Sequence, residues 1–343
     1  MFIVRADGNA RIGAGHLMRC LTIAEEVRKL PDAPEILVLC ADSDSAGMAA
    51  DRGFATGVFH TDYRRMEEEI PLWQQWITEE TNTILVDSYY VTDRYLESLG
   101  GFGKVCLMDD FQEHSYPVDM VINYNVFAQS AVYRMLYAGQ EHTELCLGGD
   151  YAPLREQFQN VDYCVKEKVE QVLVTTGAGD ADNIAGNIVD RIYRKDLIYH
   201  VLVGRFSPHL EGWMKRSKEC ANIKVHFDVQ DMAGLMAQCD LAVTAGGSTV
   251  YELSAVGVPY IAFSYASNQE LLVDYVGAQD VARSAGAWHH DASGTLDRLE
   301  EAFEELKGSF DLRKTCFTKG RKLVDGLGAR RLAGRLCLKE MRG

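Results

Sequence analysis

Three glycine-rich turns, each following a short apolar run and each opening onto helical sequence, constrain this chain more than any other feature. They are IGAGH after the initial FIV, TTGAGDADN (Thr175 to Asn183) after VEQVLV, and TAGGSTVYE (Thr244 to Glu252) after CDLAV. A buried strand that feeds a tight glycine turn and then a helix is the building unit of a parallel α/β sheet. Further short runs repeat the alternation: EILVLCA from Glu35, TILVDSYY from Thr83, KVCLMDD from Lys104 and DMVINYN from Asp119 in the first half; LIYHVLVGR, NIKVHFDV and PYIAFSY in the second. In the first helix Leu17, Leu21, Ala24, Val27 and Leu30 recur at three- and four-residue spacing, which gives one apolar face to cover a sheet.

The alternation breaks once. LGGDYAPLREQFQNVDYC, from Leu147, mixes turn and polar residues without a period, so a domain boundary is placed there, with a first domain over 1–150 and a second over 165–343. The 343 residues are enough for two cores. The expected fold class is therefore α/β: two Rossmann-like, doubly wound domains facing a cleft, with ligands at the carboxyl ends of the strands.

Composition narrows the partners. With 47% hydrophobic and 25% charged residues and a formal net charge of −15, the chain reads as a globular protein poorly suited to a nucleic-acid backbone or an anionic membrane. MFIVRADG lacks a basic segment leading into a long apolar run, and no stretch approaches a membrane span. A cytoplasmic location is expected, with no nucleic-acid and no membrane partner. Nine cysteines, scattered without a CxxC pair, suggest neither a zinc knuckle nor a disulfide framework.

The turns are the candidate chemistry. Gly13 and Gly15 allow positive φ and close backbone approach, and Gly177, together with Gly247, Ser248 and Thr249, offers amides at a helix start, where phosphate binds. None carries a Walker lysine or an in-frame GxGxxG with its acidic partner. Each alone also suits an ordinary βα turn; three in matched context, in an acidic chain that must hold an anion with dipoles, favour a nucleotide diphosphate. A lone histidine can be a structural hydrogen-bonder, but His16, just past two glycines at a helix start, reads as an exposed position suited to catalysis. Glu252 serves either as a helix-start carboxylate or as the acceptor for a ribose diol. Asn268 and Gln269, in SYASNQE, either form a polar turn or read sugar hydroxyls and acetamido groups. Asp42 and Asp44, like Asp180 and Asp182, match a short DxD pattern but read as loop or helix-cap acids.

Taken together, RADGNARIGAGHLMRCLTIA, DSYYVTDRYLESL, LMDDF, DMVINYNVFA, LGGDYAPLREQF, AGGSTVYELSAVGVPYIAF, SNQE and DGLGARR resemble the UDP-2,4-diacetamido-2,4,6-trideoxy-β-L-altropyranose hydrolase family of pseudaminic acid (nonulosonic acid) biosynthesis. The likeness runs over nearly the whole chain. It implies a GT-B-like enzyme that releases UDP from a UDP-sugar by C1–O cleavage with inversion, with no cofactor and no metal. His16 matches the family's catalytic histidine, proposed to activate water, and Tyr89 a tyrosine near the reacting sugar. The AGGST amides, Glu252, Asn268 and Gln269 match positions around UDP and the sugar. Ser88 stands where the family usually has histidine, and Tyr90 where glycine is common. The alternatives are an inverting GT-B glycosyltransferase with a UDP-sugar donor, and a non-catalytic UDP-sugar binding protein.

Overall fold

The computed structural model describes residues 1–9, 11–77, 82–140, 142–177 and 179–337. It divides into two compact units: Met1–Leu154 with Leu327–Gly343, and Arg155–Gly326.

The first unit contains β1 (Phe2–Ala6), α1 (Gly15–Arg28), β2 (Ile36–Cys40), α2 (Ser43–Ala50), β3 (Ala55–Val58), β4 (Asn82–Asp87), α3 (Asp93–Leu99), β5 (Gly103–Met108), β6 (Met120–Asn123), α4 (Ser130–Leu136) and β7 (Glu144–Leu147). Its seven strands are all parallel, in the order β3-β2-β1-β4-β5-β6-β7. The strand order reverses between β1 and β4, and such a switch point leaves a crevice at the carboxyl ends of the two strands. The apolar face of α1 is buried through Leu17, Leu21, Ala24 and Val27, as the spacing predicts; Leu30 lies beyond the helix and packs at the edge of the same core. Strand β1 is fully buried although it carries Arg5. Its guanidinium is satisfied by a two-pronged bond to Glu69 (2.7 and 2.5 Å) and by Asp7 (2.6 Å), because a charge taken out of water needs partners of opposite sign.

The second unit contains β8 (Gln171–Thr175), α5 (Ile184–Ile192), β9 (Ile198–Leu202), α6 (Leu210–Glu219), β10 (Ile223–His226), α7 (Met232–Gln238), β11 (Leu241–Ala245), α8 (Ser248–Val256), β12 (Tyr260–Ser264), α9 (Glu270–Ala278), β13 (Arg283–Ala287), α10 (Ala292–Gly308) and α11 (Phe310–Leu323). Its six parallel strands run β10-β9-β8-β11-β12-β13, again with a switch point, here between β8 and β11. Both sheets carry helices in the doubly wound manner expected from the alternation.

The last helix, α12 (Gly328–Cys337), belongs to the first unit. The boundaries expected from the alternation place it with the second domain instead. Its Leu332, Ala333 and Leu336 are buried in one core with Phe2, Val4 and Leu17, so the chain returns to the first sheet at its end. Among the described residues, no helix is long and apolar enough to cross a membrane.

Candidate functional site

In the first unit the site grows out of the switch point. The loop after β1 closes on itself: the Asn9 side chain accepts bonds from the Arg11 and Ile12 amides (2.9 and 3.2 Å), and the Gly13 amide donates to the Asn9 carbonyl (2.8 Å). Gly13 has φ +76°, a backbone state that favours glycine. Gly15 begins α1, and nothing lies within 4 Å of where its Cβ would stand. No side chain caps this helix. His16, its second residue, is thus carried to the carboxyl edge of the sheet, beside the end of β4.

There it meets Asp87, the last residue of β4. His16 Nδ1 lies 2.7 Å from Asp87 Oδ1, with the carboxylate buried and the imidazole 15% exposed. An ionised carboxylate can only accept, so Nδ1 carries the hydrogen, and in the neutral imidazole the lone pair is on Nε2. Arg19, one helical turn after His16, clamps both Asp87 oxygens (2.5 and 2.7 Å) and also reaches Asp110 (3.0 and 2.9 Å) and the Tyr124 hydroxyl (3.1 Å). Burial works against ionisation of Asp87, but the Arg19 charge and the bonds from Arg19 and His16 outweigh it and hold the carboxyl down at about 2. Asp87 is therefore a fixed anion whose charge is largely neutralised by Arg19.

Tyr89 meets the His16 ring edge-on, at a centroid separation of 4.4 Å, and leans on Phe111 at 4.9 Å. Desolvation and, after it, the Asp110 carboxylate push its hydroxyl above the usual phenol range, so it remains a neutral donor. His16, Asp87, Ser88 and Tyr89 line a cavity of about 190 Å³ together with Tyr63 and Tyr90. The last two pack edge to face at 5.7 Å and form an aromatic wall.

In the second unit the two glycine-rich turns part company. The start of α5, after the Gly177 turn (φ +85°), is filled by the chain itself: the Asp180 carboxylate accepts from the Ile184 and Ala185 amides at 2.6 and 3.1 Å. An anion would have to compete with that carboxylate. Asp180 is thus the helix-cap acid expected of one DxD pair, and Asp42, which accepts from the Ser45 amide at 2.8 Å, is that of the other. The start of α8 has no side-chain cap: Gly247 holds the N-cap position, and Ser248 and Thr249 follow it. Here the positive end of the helix dipole is open to an anion.

The remaining candidates lie on the same unit. Glu252, in α8, faces Arg155 at 3.4 Å; burial raises its carboxyl, and the guanidinium partly offsets this. Asn268 is exposed on a short turn, Ser267–Gln269. Gln269 braces that turn by accepting from the Tyr265 amide (3.1 Å), and a Cβ on Gly177 would stand 3.8 Å from the Tyr265 hydroxyl. The structure thus groups His16 and Tyr89 with the Gly13 turn on one unit. It sets Gly177 beside the 265–269 turn on the other. Sequence reasoning did not single out Asp87, Arg19, Asp110 or Tyr124. Two signals were present: an acid ending an apolar strand in TILVD, and an arginine one turn from the histidine.

Comparison with known proteins accords with this architecture. Residues 147–312 match the glycosyltransferase family 28 C-terminal domain. The chain is 24% identical over 271 residues to the UDP-2,4-diacetamido-2,4,6-trideoxy-beta-L-altropyranose hydrolase of Campylobacter jejuni, covering 78% of this chain and 93% of that protein. That match bears out the resemblance read from the sequence. It is also 30% identical over 197 residues to the spore coat polysaccharide biosynthesis protein SpsG of Bacillus subtilis, covering 55% of this chain and 57%, little more than half, of that relative. Among solved structures, MurG of Acinetobacter baumannii superposes with a TM-score of 0.69 over 98% of both chains at 12% identity. The fold is accordingly the two-domain, Rossmann-like α/β fold of the GT-B kind.

Proposed function

We propose that this protein is a UDP-sugar hydrolase in which His16 takes a proton from the water that attacks the anomeric carbon. The observation that carries the reading is the His16–Asp87 pair at the first switch point. With Nδ1–H committed to Asp87, the imidazole has one free basic nitrogen, Nε2, in a ring that lines a cavity, the arrangement a general base requires. As the water oxygen bonds to C1, its proton passes to Nε2, the C1–O bond to the diphosphate breaks, and UDP leaves with that electron pair. Attack opposite the leaving group inverts C1. Tyr89, a neutral phenol against the imidazole, orients water or substrate.

The nucleotide half is assigned to the second unit. The uncapped start of α8, with Gly247, Ser248 and Thr249, takes the diphosphate without a cation; Glu252 accepts the ribose hydroxyls; Asn268 and Gln269 meet the sugar. The similarity to the Campylobacter jejuni hydrolase supports a 2,4-diacetamido-2,4,6-trideoxyhexose and a place in nonulosonic acid assembly. The match to the glycosyltransferase family 28 C-terminal domain favours a second reading, an inverting transferase that delivers the sugar to an alcohol.

Incubation with UDP-diacetamido sugars in the absence of any acceptor separates the two. Stoichiometric UDP and free sugar, at an enzyme-like rate and lost in His16→Ala, is the expected result. Turnover only after an acceptor alcohol is added would establish the transferase.

A further inference from the structure

Next to the Ser267–Gln269 turn, but on residues given no role above, Glu270, His289 and His290 converge on one point. Glu270 Oε1 lies 2.9 Å from His289 Nε2 and 3.2 Å from His290 Nε2, and the ligand atoms of all three lie within 4.8 Å of one another. Glu270 opens α9, whereas the histidines sit on the turn between β13 and α10. Backbone bonds fix both segments. The Trp288 amide donates to the Ser264 carbonyl at the end of β12 (2.7 Å), and the His290 and Asp291 amides donate to Ala287 (3.2 and 3.1 Å). The Gln269 side chain ties the start of α9 to Tyr265 (3.1 Å). The convergence is therefore built by the fold around the carboxyl end of β12 and does not depend on the rotamers alone.

We infer that Glu270, His289 and His290 form a binding site for a transition-metal dication of the zinc type. Two imidazoles and one carboxylate form a ligand set that suits zinc, with a fourth position left to water or another ligand. Zinc ligands at about 2.0–2.2 Å in tetrahedral array stand roughly 3.3–3.5 Å apart, so the two Glu270–histidine distances need to open by only a few tenths of an ångström, and the two histidine ligand atoms already lie within 4.8 Å of each other. Magnesium and calcium, which require oxygen, do not match two nitrogens. The three side chains are partly exposed, His290 most at 66%, which leaves a metal free access. The proposal is independent of the nucleotide-sugar reading: a cation here does not serve the diphosphate, which is assigned to the start of α8.

The test is calorimetric titration of the full, tag-free chain with zinc chloride, with magnesium chloride in parallel. One zinc equivalent in the micromolar range is expected, and no saturable heat with magnesium. Glu270→Gln should weaken zinc by at least about tenfold, and the paired His289→Gln, His290→Gln change should abolish that equivalent. All three side chains lie at the surface, and circular dichroism of the variants monitors the fold. Cobalt(II) in place of zinc should give the intense visible bands of a four-coordinate ion in the parent chain and not in the paired variant. The absence of saturable zinc binding, or a zinc isotherm that the substitutions leave within threefold of the parent, would overturn the site.

Discussion

His16 can act as a base at only one of its nitrogens, because Asp87 holds the other at 2.7 Å. Replacing it removes general-base assistance, so His16→Ala or His16→Asn is expected to lose about 10²–10⁴-fold in turnover while keeping its affinity for UDP. Steady-state rates alongside calorimetric UDP binding check this, and a variant within a few-fold of the parent rate would remove His16 from the chemistry. Asp87 acts through the imidazole. Since Arg19 already neutralises much of its charge, its contribution is mainly to fix tautomer and ring orientation. Asp87→Asn should thus lower kcat by more than about tenfold but by less than the ~10⁴-fold that loss of a fully effective orienting carboxylate costs. Asp110 stays on Arg19 and keeps the guanidinium paired. On the second unit, Glu252→Ala should weaken UDP by about one to two decades if the carboxylate accepts the ribose hydroxyls, the range of a charge-assisted bond. Unchanged affinity would leave Glu252 as the partner of Arg155 alone.

Helix starts decide where an anion can go, and the two glycine-rich turns of the second unit make different predictions for UDP binding. Asp180→Ala strips the cap from α5 and should cost about 0.5–2 kcal/mol of stability, with UDP affinity unchanged. Gly246→Ala should lower both. Its Cβ would stand 2.5 Å from Val273 Cγ2, forcing the approach to α8 away from α9, and overpacking of that kind costs about 1–3 kcal/mol together with UDP affinity. Urea midpoints and UDP titrations on the two variants measure both quantities. The sequence made the turns visible because strand, glycine and helix are neighbours in the chain. It could not tell which helix start is already filled, since Asp180 became a cap through the particular path of its loop. Likewise His16 was legible from two local glycines. Arg19, by contrast, meets Asp87 across 68 positions and Asp110 across 91, separations that no local period encodes. The amphipathic pattern of α12 shows that it must bury a face; only the tertiary fold shows that the face joins Phe2 and Leu17 of the first unit.

At the scale of the whole molecule, the two units should respond differently to acid, because each buries a different titrating group. In the second unit His200, 2% exposed, lies 3.0 Å from His226 and 2.9 Å from Gln171. Burial first, then His226 and Lys224, push it down to about 4, and burial and Lys224 lower His226 as well. A histidine whose folded value lies below its unfolded 6.5 favours the fold fully above pH 6.5, and that contribution is lost as pH falls towards about 4. In the first unit Asp87 is held at about 2 against an ordinary 3.8, so its share, about 2 kcal/mol, persists above pH 3.8 and is lost only between there and about pH 2. The second unit should therefore weaken first. Tryptophan fluorescence can follow the units separately, since Trp73 and Trp76 belong to the first and Trp213 and Trp288 to the second. In a chain with Trp213→Phe and Trp288→Phe the urea midpoint, now that of the first unit, should hold nearly steady from pH 7 to 5. The parent should show an additional transition that moves to lower urea over that interval, and His200→Gln should flatten that movement. Comparing pH values within one variant cancels the cost of the substitution itself. A second-unit transition that stays constant from pH 7 to 5 while the first-unit transition falls would reverse the assignment of acid sensitivity to His200.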